Sequence, residues 1–441
     1  MILKMIFALT LSVCIMGLYA QSLKADEPTK SVDETPVSKT WLEDLMTRSK
    51  LTGDWRGLRK GLTNHGIDFD LRLSQFYQSV TNGGVSTGDE YGVKGDYRLN
   101  VDANKLGLWK GLYANVHVET RYGYDLEADA GPLTLTNTPM LYPLPGKYHD
   151  TDITGAMIEQ SLFGGRAAIF AGKLHSIDLI TAIFPHIGYG QEGFWNVSSL
   201  VSALPWFRFV ELSMWGGGGW TIKDGQIQGG LIGIGGKNVS TDTSTTSKSF
   251  SDGFGMLAFW RFFYKIGDKP GSALLFAGGS TKDYPSLEPT SWSFVPGEGL
   301  SNDNSKKPWD VALYLQQVFW QAKNDDKRNA QIFIGGTYGD KDPNFSHWNI
   351  FANIEAFGPM ASRPNDRMGI AGYYNGITRD VKHLSRELAG IGLRDIKGFE
   401  AYYNFEITPW MHLTGDIQLV DNGQSRDSTA VIPGVRLVID F

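Results

Sequence analysis

The sequence predicts an all-β protein, an up-and-down antiparallel barrel of about 16 strands set in an outer membrane, with a short helical segment at its periplasmic side. Three observations predict it. Segments of clean apolar/polar alternation recur along the chain. The connections between them alternate long and short. The residue usage is that of strands and turns, with 53 glycines, 13 Trp and 18 Tyr in 441 residues. A formal net charge of −6 carries no basic footprint of nucleic-acid binding, and a hydrophobic content of 41% argues against disorder.

The elements follow in order. Residues 1–25 have the layout of a secretory signal peptide: Lys4, an apolar stretch from Met5 to Leu18, and Ala20 or Ala25 as the residue before cleavage. Cys14, the only cysteine, suits a lipoprotein poorly, because Val13 precedes it and the apolar region would be cut short. Beyond Ala25 no run of about 18 apolar residues appears, so no helix is expected to span a membrane. Residues 26–66 read as a periplasmic tether with one short helix near Trp41–Met46 and a second through Trp55, Leu58 and Leu62, stopped by Gly66.

From Ile67 the period becomes two, and 67–441 reads as barrel. In 67–74, Ile67, Phe69, Leu71 and Leu73 oppose Asp68, Asp70, Arg72 and Ser74. In 93–103, Val93, Tyr97, Leu99 and Val101 oppose Lys94, Asp96, Arg98, Asn100 and Asp102. In 112–121, Leu112, Ala114, Val116 and Val118 oppose Asn115, His117, Glu119 and Arg121. Thirteen further strands are drawn at 153–163, 166–174, 203–213, 226–236, 252–265, 271–280, 309–320, 330–339, 348–358, 367–375, 398–407, 411–420 and 430–441. Between them, 122–152, 175–202, 237–251, 281–308 and 377–397 are long, whereas Gly164–Gly165, the run Gly216–Gly219, "GDKPG" and "TPW" are tight. Short periplasmic turns and long external loops give that asymmetry. A soluble sandwich or propeller shares the alternation, but it requires neither the loop pattern nor a polar face charged with both signs. Tryptophans near strand ends, among them Trp109, Trp215, Trp220, Trp309, Trp348 and Trp410, suit interfacial girdles.

"LTGDWRGLRKGLTNHGIDFDL" (51–71) resembles the start of the carbohydrate-selective porins of the OprB family. "YRLNVDANKLGLWKG" is similar to that family's second strand and turn, and "FEAYYNFEITPWMHLTGDIQLVDNG" and "AVIPGVRLVIDF" to its last three strands; "AGKLHSIDL" and "GFWN" carry a looser likeness. Arg56 departs from the pattern, standing where the family usually has a second glycine after Trp55. The resemblance implies a barrel of about 16 strands in the cell outer membrane, passive diffusion of mono- and small oligosaccharides, and no cofactor. Partners are then sugars and outer-membrane lipid, with a monomer or a homotrimer both open. The terminal row Val435, Leu437, Ile439, Phe441 faces lipid on this reading.

Sugar selection needs charged hydrogen-bond partners for hydroxyls and flat apolar surface for the sugar face. The inward rows offer Arg72, Asp96, Arg98, Asp102, His117, Glu119 and Arg121, and Phe194 and Trp195 offer stacking. By analogy with general porins, the third external loop, 175–202, folds inward as the constriction. A general or anion-preferring pore is the alternative within transport, drawn from Arg72, Arg98 and Arg121. An outer-membrane enzyme is the alternative from another class. No serine can be assigned to His117, and no HExxH or P-loop pattern occurs.

Overall fold

The computed structural model describes residues 40–441 except 142, 144–147, 207–209, 240–248, 298 and 303. The expected signal peptide and most of the tether lie outside the described residues. Sixteen long strands close on themselves: β1 (Ile67–Val80), β2 (Gly88–Asp102), β3 (Leu112–Gly123), β4 (His149–Leu162), β5 (Ala167–His175), β6 (Ser213–Lys223), β7 (Gln226–Gly235), β8 (Phe254–Ile266), β9 (Lys269–Ser280), β10 (Trp309–Ala322), β11 (Asp325–Gly339), β12 (Ser346–Phe357), β13 (Arg367–Ile377), β14 (Ile396–Thr408), β15 (Met411–Asp421) and β16 (Ser428–Asp440). Each pairs antiparallel with the next, and β16 returns to β1 with Arg72 opposite Asp440. Closure leaves no sheet edge, which a barrel in hydrocarbon requires. Among the described helices none is long and apolar enough to cross a membrane.

The burial pattern is inverted relative to a soluble protein. Ile158, Ile169, Leu231, Trp260, Phe262, Leu275, Leu313, Ile350 and Ile370 are exposed on the outer face, while Lys94, Arg121 and Arg436 are wholly buried inside. Alternation explains both, since each strand gives one face to lipid and one to the lumen.

The entry to β1 bears out the helix-to-strand reading. After a 3-10 turn at Trp55–Gly57, helix α1 (Leu58–Asn64) ends at His65 and Gly66, whose φ is 89°. A Cβ on Gly66 would lie 2.5 Å from the Asp102 carbonyl oxygen, and the Asp102 amide donates to the Gly66 carbonyl at 2.7 Å. Only glycine fits that approach. Arg56 sits at φ 59°, ψ 37°, a left-handed conformation that glycine adopts without penalty. The segment is tied to the far end of the chain: the Leu51 amide donates to the Asp440 carbonyl (2.7 Å), Arg59 Nη2 to the Phe441 carbonyl (3.0 Å), and Trp410 Nε1 to the Leu45 carbonyl (2.7 Å).

One strand is corrected. Residues 203–213 do not form the sixth strand: Ala203–Trp206 is a helical turn, and the strand is Ser213–Lys223, with Gly216–Gly219 at its centre. These glycines serve close approach. A Cβ on Gly216 would lie 2.4 Å from the Gly233 carbonyl oxygen, and one on Gly218 2.3 Å from that of Leu231. The third external loop therefore extends to Leu212, beyond the expected 202. It contains α2 (Ser176–Ile183), whose first turn His175 caps by accepting from the Asp178 amide at 3.2 Å.

Candidate functional site: the narrowed lumen

The inner wall has two unlike halves. On β5 to β13 it is largely apolar: Phe170, Leu174, Met214, Trp220, Ile232, Ile234, Leu257, Phe259, Leu274, Tyr314, Phe333 and Phe351 form one buried cluster. On β15, β16 and β1 to β3 it is polar and charged. The 176–206 stretch of the third loop folds inward and lays Ile177, Leu179, Ile183, Phe184, Ile187, Val197, Leu200, Leu204 and Trp206 on the apolar half, in the same cluster. Burying one such side chain contributes roughly 1.5–3 kcal/mol, more than a single net hydrogen bond of about 1 kcal/mol. Apolar packing therefore decides where the loop lies, and polar contacts set its height.

Those contacts come from all around the wall. Arg261 Nη2 (β8) donates to the Ile183 carbonyl at 2.5 Å. Asn353 Nδ2 (β12) donates to the Ser199 carbonyl at 2.8 Å, and Arg367 (β13), itself bonded to Glu355, donates to the His186 carbonyl. Glu400 (β14) accepts the Trp195 amide at 2.5 Å. Arg436 (β16) donates to the carbonyls of Gly190 at 2.5 Å and Gly193 at 2.9 Å.

Register assembles the polar half in rungs. Asp440, Arg72, Asp96 and Glu119 face one another across β16, β1, β2 and β3; below them stand Asp70, Arg98 and His117, and above them Ser74, Lys94 and Arg121. Arg72 holds Asp440 with two parallel bonds, 2.6 and 3.0 Å, and reaches Glu192 of the loop at 2.8 Å. Gln191 donates to Asp96 at 2.5 Å. His117 lies 3.1 Å from Asp96 and 3.0 Å from Asp178 on α2. Arg98 approaches Asp178 at 3.8 Å. Lys94 pairs with Glu119 at 2.6 Å, and His175 lies 3.2 Å from the same carboxylate. Ligand atoms of His117, Glu119 and His175 all lie within 4.8 Å of one another, the one such grouping among the described residues, with the Lys94 ammonium already on the carboxylate.

These groups divide by access to water. The side chains of Glu192, Asp178, Arg72, Arg98 and Asp440 keep 39, 26, 19, 16 and 11% of their surface exposed. Asp96, His117, Glu119 and Arg121 are sealed under the loops, Arg121 donating to the Met140 carbonyl at 2.7 Å. They brace the wall. Asp102 stands at the opposite end, where its Oδ1 accepts the amides of Asn104 (3.0 Å) and Lys105 (3.3 Å) and shapes a periplasmic turn. Phe194 and Trp195 are 0% exposed: Phe194 sits edge-on to Tyr402, and Trp195 edge-on to Phe76 with the Arg436 guanidinium 5.0 Å from its ring. As placed, both rings face protein. Arg72 and Arg98 alone of the expected set share the water-reaching ring, joined by Asp178, Glu192 and Asp440.

Enclosure by itself would raise the carboxyl of Glu192, but Arg72 beside it, with Arg367 and His412 behind, holds it below its ordinary value. Asp178 likewise resists its enclosure: His175, His117 and Arg98 keep it ionised well below the usual carboxylate range. The ring thus presents two guanidinium donors and three carboxylate acceptors to the water beside the loop.

A family model described as "Carbohydrate-selective porin, OprB family" matches residues 87–441. The chain is similar to "Putative porin QuiX" of Acinetobacter baylyi (strain ATCC 33305 / BD413 / ADP1), 22% identical over 448 residues covering 92% of this chain and 96% of that one. Two solved structures of OprB from Pseudomonas putida share the fold. The high-pH structure has a TM-score of 0.69 at 17% identity, covering 90% of this chain and 99% of that one. The low-pH structure has a TM-score of 0.55 at 16% identity, with the same coverage of 90 and 99%.

Proposed function

The chain belongs to the OprB family of carbohydrate-selective porins, and we propose that the sugars it admits are selected at the ring of Arg72, Arg98, Asp178, Glu192 and Asp440. It is a channel of the outer membrane, not an enzyme: carbohydrate moves passively through a closed β-barrel narrowed by its third loop. The observation that carries the proposal is that these five charged groups keep water access where the loop meets the polar wall.

The chemistry suits mono- and small oligosaccharides. A sugar hydroxyl both donates and accepts, so a passage with guanidinium N–H groups on one side and carboxylate oxygens on the other replaces its lost water bonds from both. Bonds to ionised partners are roughly twice as strong as neutral ones, enough to favour a polyol over an apolar solute of the same size. The site must also release its ligand, since conduction fails if binding is tight. Two arginines against three carboxylates leave a near-balanced ring, which does not favour an anion-preferring pore.

Single-channel conductance in a planar bilayer, with glucose and then maltose titrated in, tests this. The current is expected to fall saturably with sugar, and Arg72→Gln and Glu192→Gln are each expected to weaken the apparent sugar affinity by about 10-fold, the loss of a charged hydrogen bond. A sugar response unchanged in both variants removes the ring from the selection step.

A further inference from the structure

At the external end of the barrel, away from the ring, β11 ends in "GDKDPN" (339–344), which places oxygen-bearing side chains at alternate positions, Asp340, Asp342 and Asn344. That spacing matches the first five positions of calcium-binding loops, with Phe345 where those loops have glycine. Beside it, Asp310 of β10 is buried with 0% exposure, as is Asn344. Among the described residues, neither Asp310 Oδ2 nor Asn344 Oδ1 meets a hydrogen-bond donor. The contact given to its other oxygen is long, 3.4 Å from Asn344 Nδ2. Asp340 stands beside it: it follows Gly339, the cross-strand partner of Asp310, and its amide donates to the Trp309 carbonyl at 3.0 Å. The backbone has made room for the carboxylate: a Cβ on Gly339 would lie 1.5 Å from Asp310 Oδ1.

A buried carboxylate with an open oxygen, a second carboxylate beside it and an open amide oxygen are costly without a cation. We propose that Asp310, Asp340 and Asn344 form a calcium site joining the external ends of β10 and β11. All three offer hard oxygen ligands, which calcium takes in irregular arrangements at about 2.3–2.6 Å and completes with backbone carbonyls and water. Asp342 plays a different part. Its two oxygens accept from Ser286 Oγ at 2.5 Å and the Leu287 amide at 2.6 Å, so it couples the site to the 281–308 loop. Calcium there fastens that loop to the barrel rim.

The test uses the full chain, folded in detergent, stripped with a chelator, and titrated with calcium chloride by calorimetry, with terbium luminescence competed by calcium as a second readout. One saturable site per chain is expected, and Asp340→Asn and Asp310→Asn are expected to weaken it by about 10-fold or more. Asp340 is the more open position, so Asp340→Asn keeps the test decisive if Asp310→Asn fails to fold. Absence of saturable binding in the wild type, or wild-type affinity in Asp340→Asn, overturns the site.

Discussion

The two halves of the inner wall obey the same strand alternation and face the same lumen, yet only one remains open to water. On β5 to β13 the inward residues are mostly aromatic and aliphatic, with Arg261, Asn353, Glu355 and Arg367 among them, and the third loop has settled on them. On β16 and β1 to β3 the inward residues are charged, and the loop meets them through side chains at its edge, Gln191 and Glu192. The loop packs its apolar side chains on the half whose burial contributes most and meets the charged half through ion pairs and hydrogen bonds, sealing Asp96, His117 and Glu119 and leaving the ring open to water. The selectivity proposed for the ring rests on that asymmetry: one half fixes the loop, and the other presents the ring to water.

Phe333→Ala breaks the apolar half most severely. Phe333 is wholly buried and packs on Phe184, Tyr314 and Phe351, so the change is expected to cost about 3–5 kcal/mol and to give a larger, noisier conductance. Denaturant unfolding and single-channel recording check the two effects. Arg436→Met removes the bonds to Gly190 and Gly193 while keeping bulk, and about 2–3 kcal/mol is expected from losing hydrogen bonds to a charged donor, with the apolar anchor still in place. Current fluctuations are expected to rise less than in Phe333→Ala.

Glu192→Gln acts on the polar half alone. The pair with Arg72 is partly open to solvent and screened, so stability is expected to change by less than about 1 kcal/mol, while reversal potentials shift toward anions. The pH dependence of that shift sharpens the point. Because the Glu192 carboxyl lies below its ordinary value, its stabilising charge is present above the unfolded carboxylate value and is lost as pH falls through the lower folded one. The difference in ion selectivity between wild type and Glu192→Gln is therefore expected to persist from pH 8 to about pH 4 and to vanish only below it. Arg56→Gly, outside both halves, is the smallest change. Relief of the left-handed φ of 59° is expected to add about 0.5–1 kcal/mol, read by unfolding, with no effect on current.

Alternation made the barrel legible. The strand count and the inward placing of Arg72, Lys94, Arg98 and His117 follow from a period of two, and the helix before Gly66 from the three-to-four spacing of Trp55, Leu58 and Leu62. The same rule contained Asp440 and Arg436: naming Val435, Leu437, Ile439 and Phe441 as the outer row leaves them on the inner one. The sixth strand was hidden because "ALPWFRFVEL" has the bulk of a strand while four successive glycines have little strand propensity. What requires those glycines is the neighbouring backbone, which sequence does not display. The ring itself was only half visible. Asp178 and Glu192 sit in a loop, and their partners lie 61 residues away at His117 and 120 away at Arg72. Phe194 and Trp195 invite a stacking role by type, but their enclosure depends on Tyr402, Phe76 and Arg436 from distant strands.

The central claim, that the water path runs along the charged half and not under the loop, is tested most directly by thiol accessibility. The one cysteine of the chain is Cys14, so with Cys14→Ser as background single cysteines report cleanly. Current through Glu192→Cys is expected to drop promptly when a charged methanethiosulfonate reagent is added to the bilayer, whereas Leu257→Cys, on the apolar wall beneath the loop, is expected to stay unblocked. Equal block of both variants, or block of Leu257→Cys alone, would contradict it.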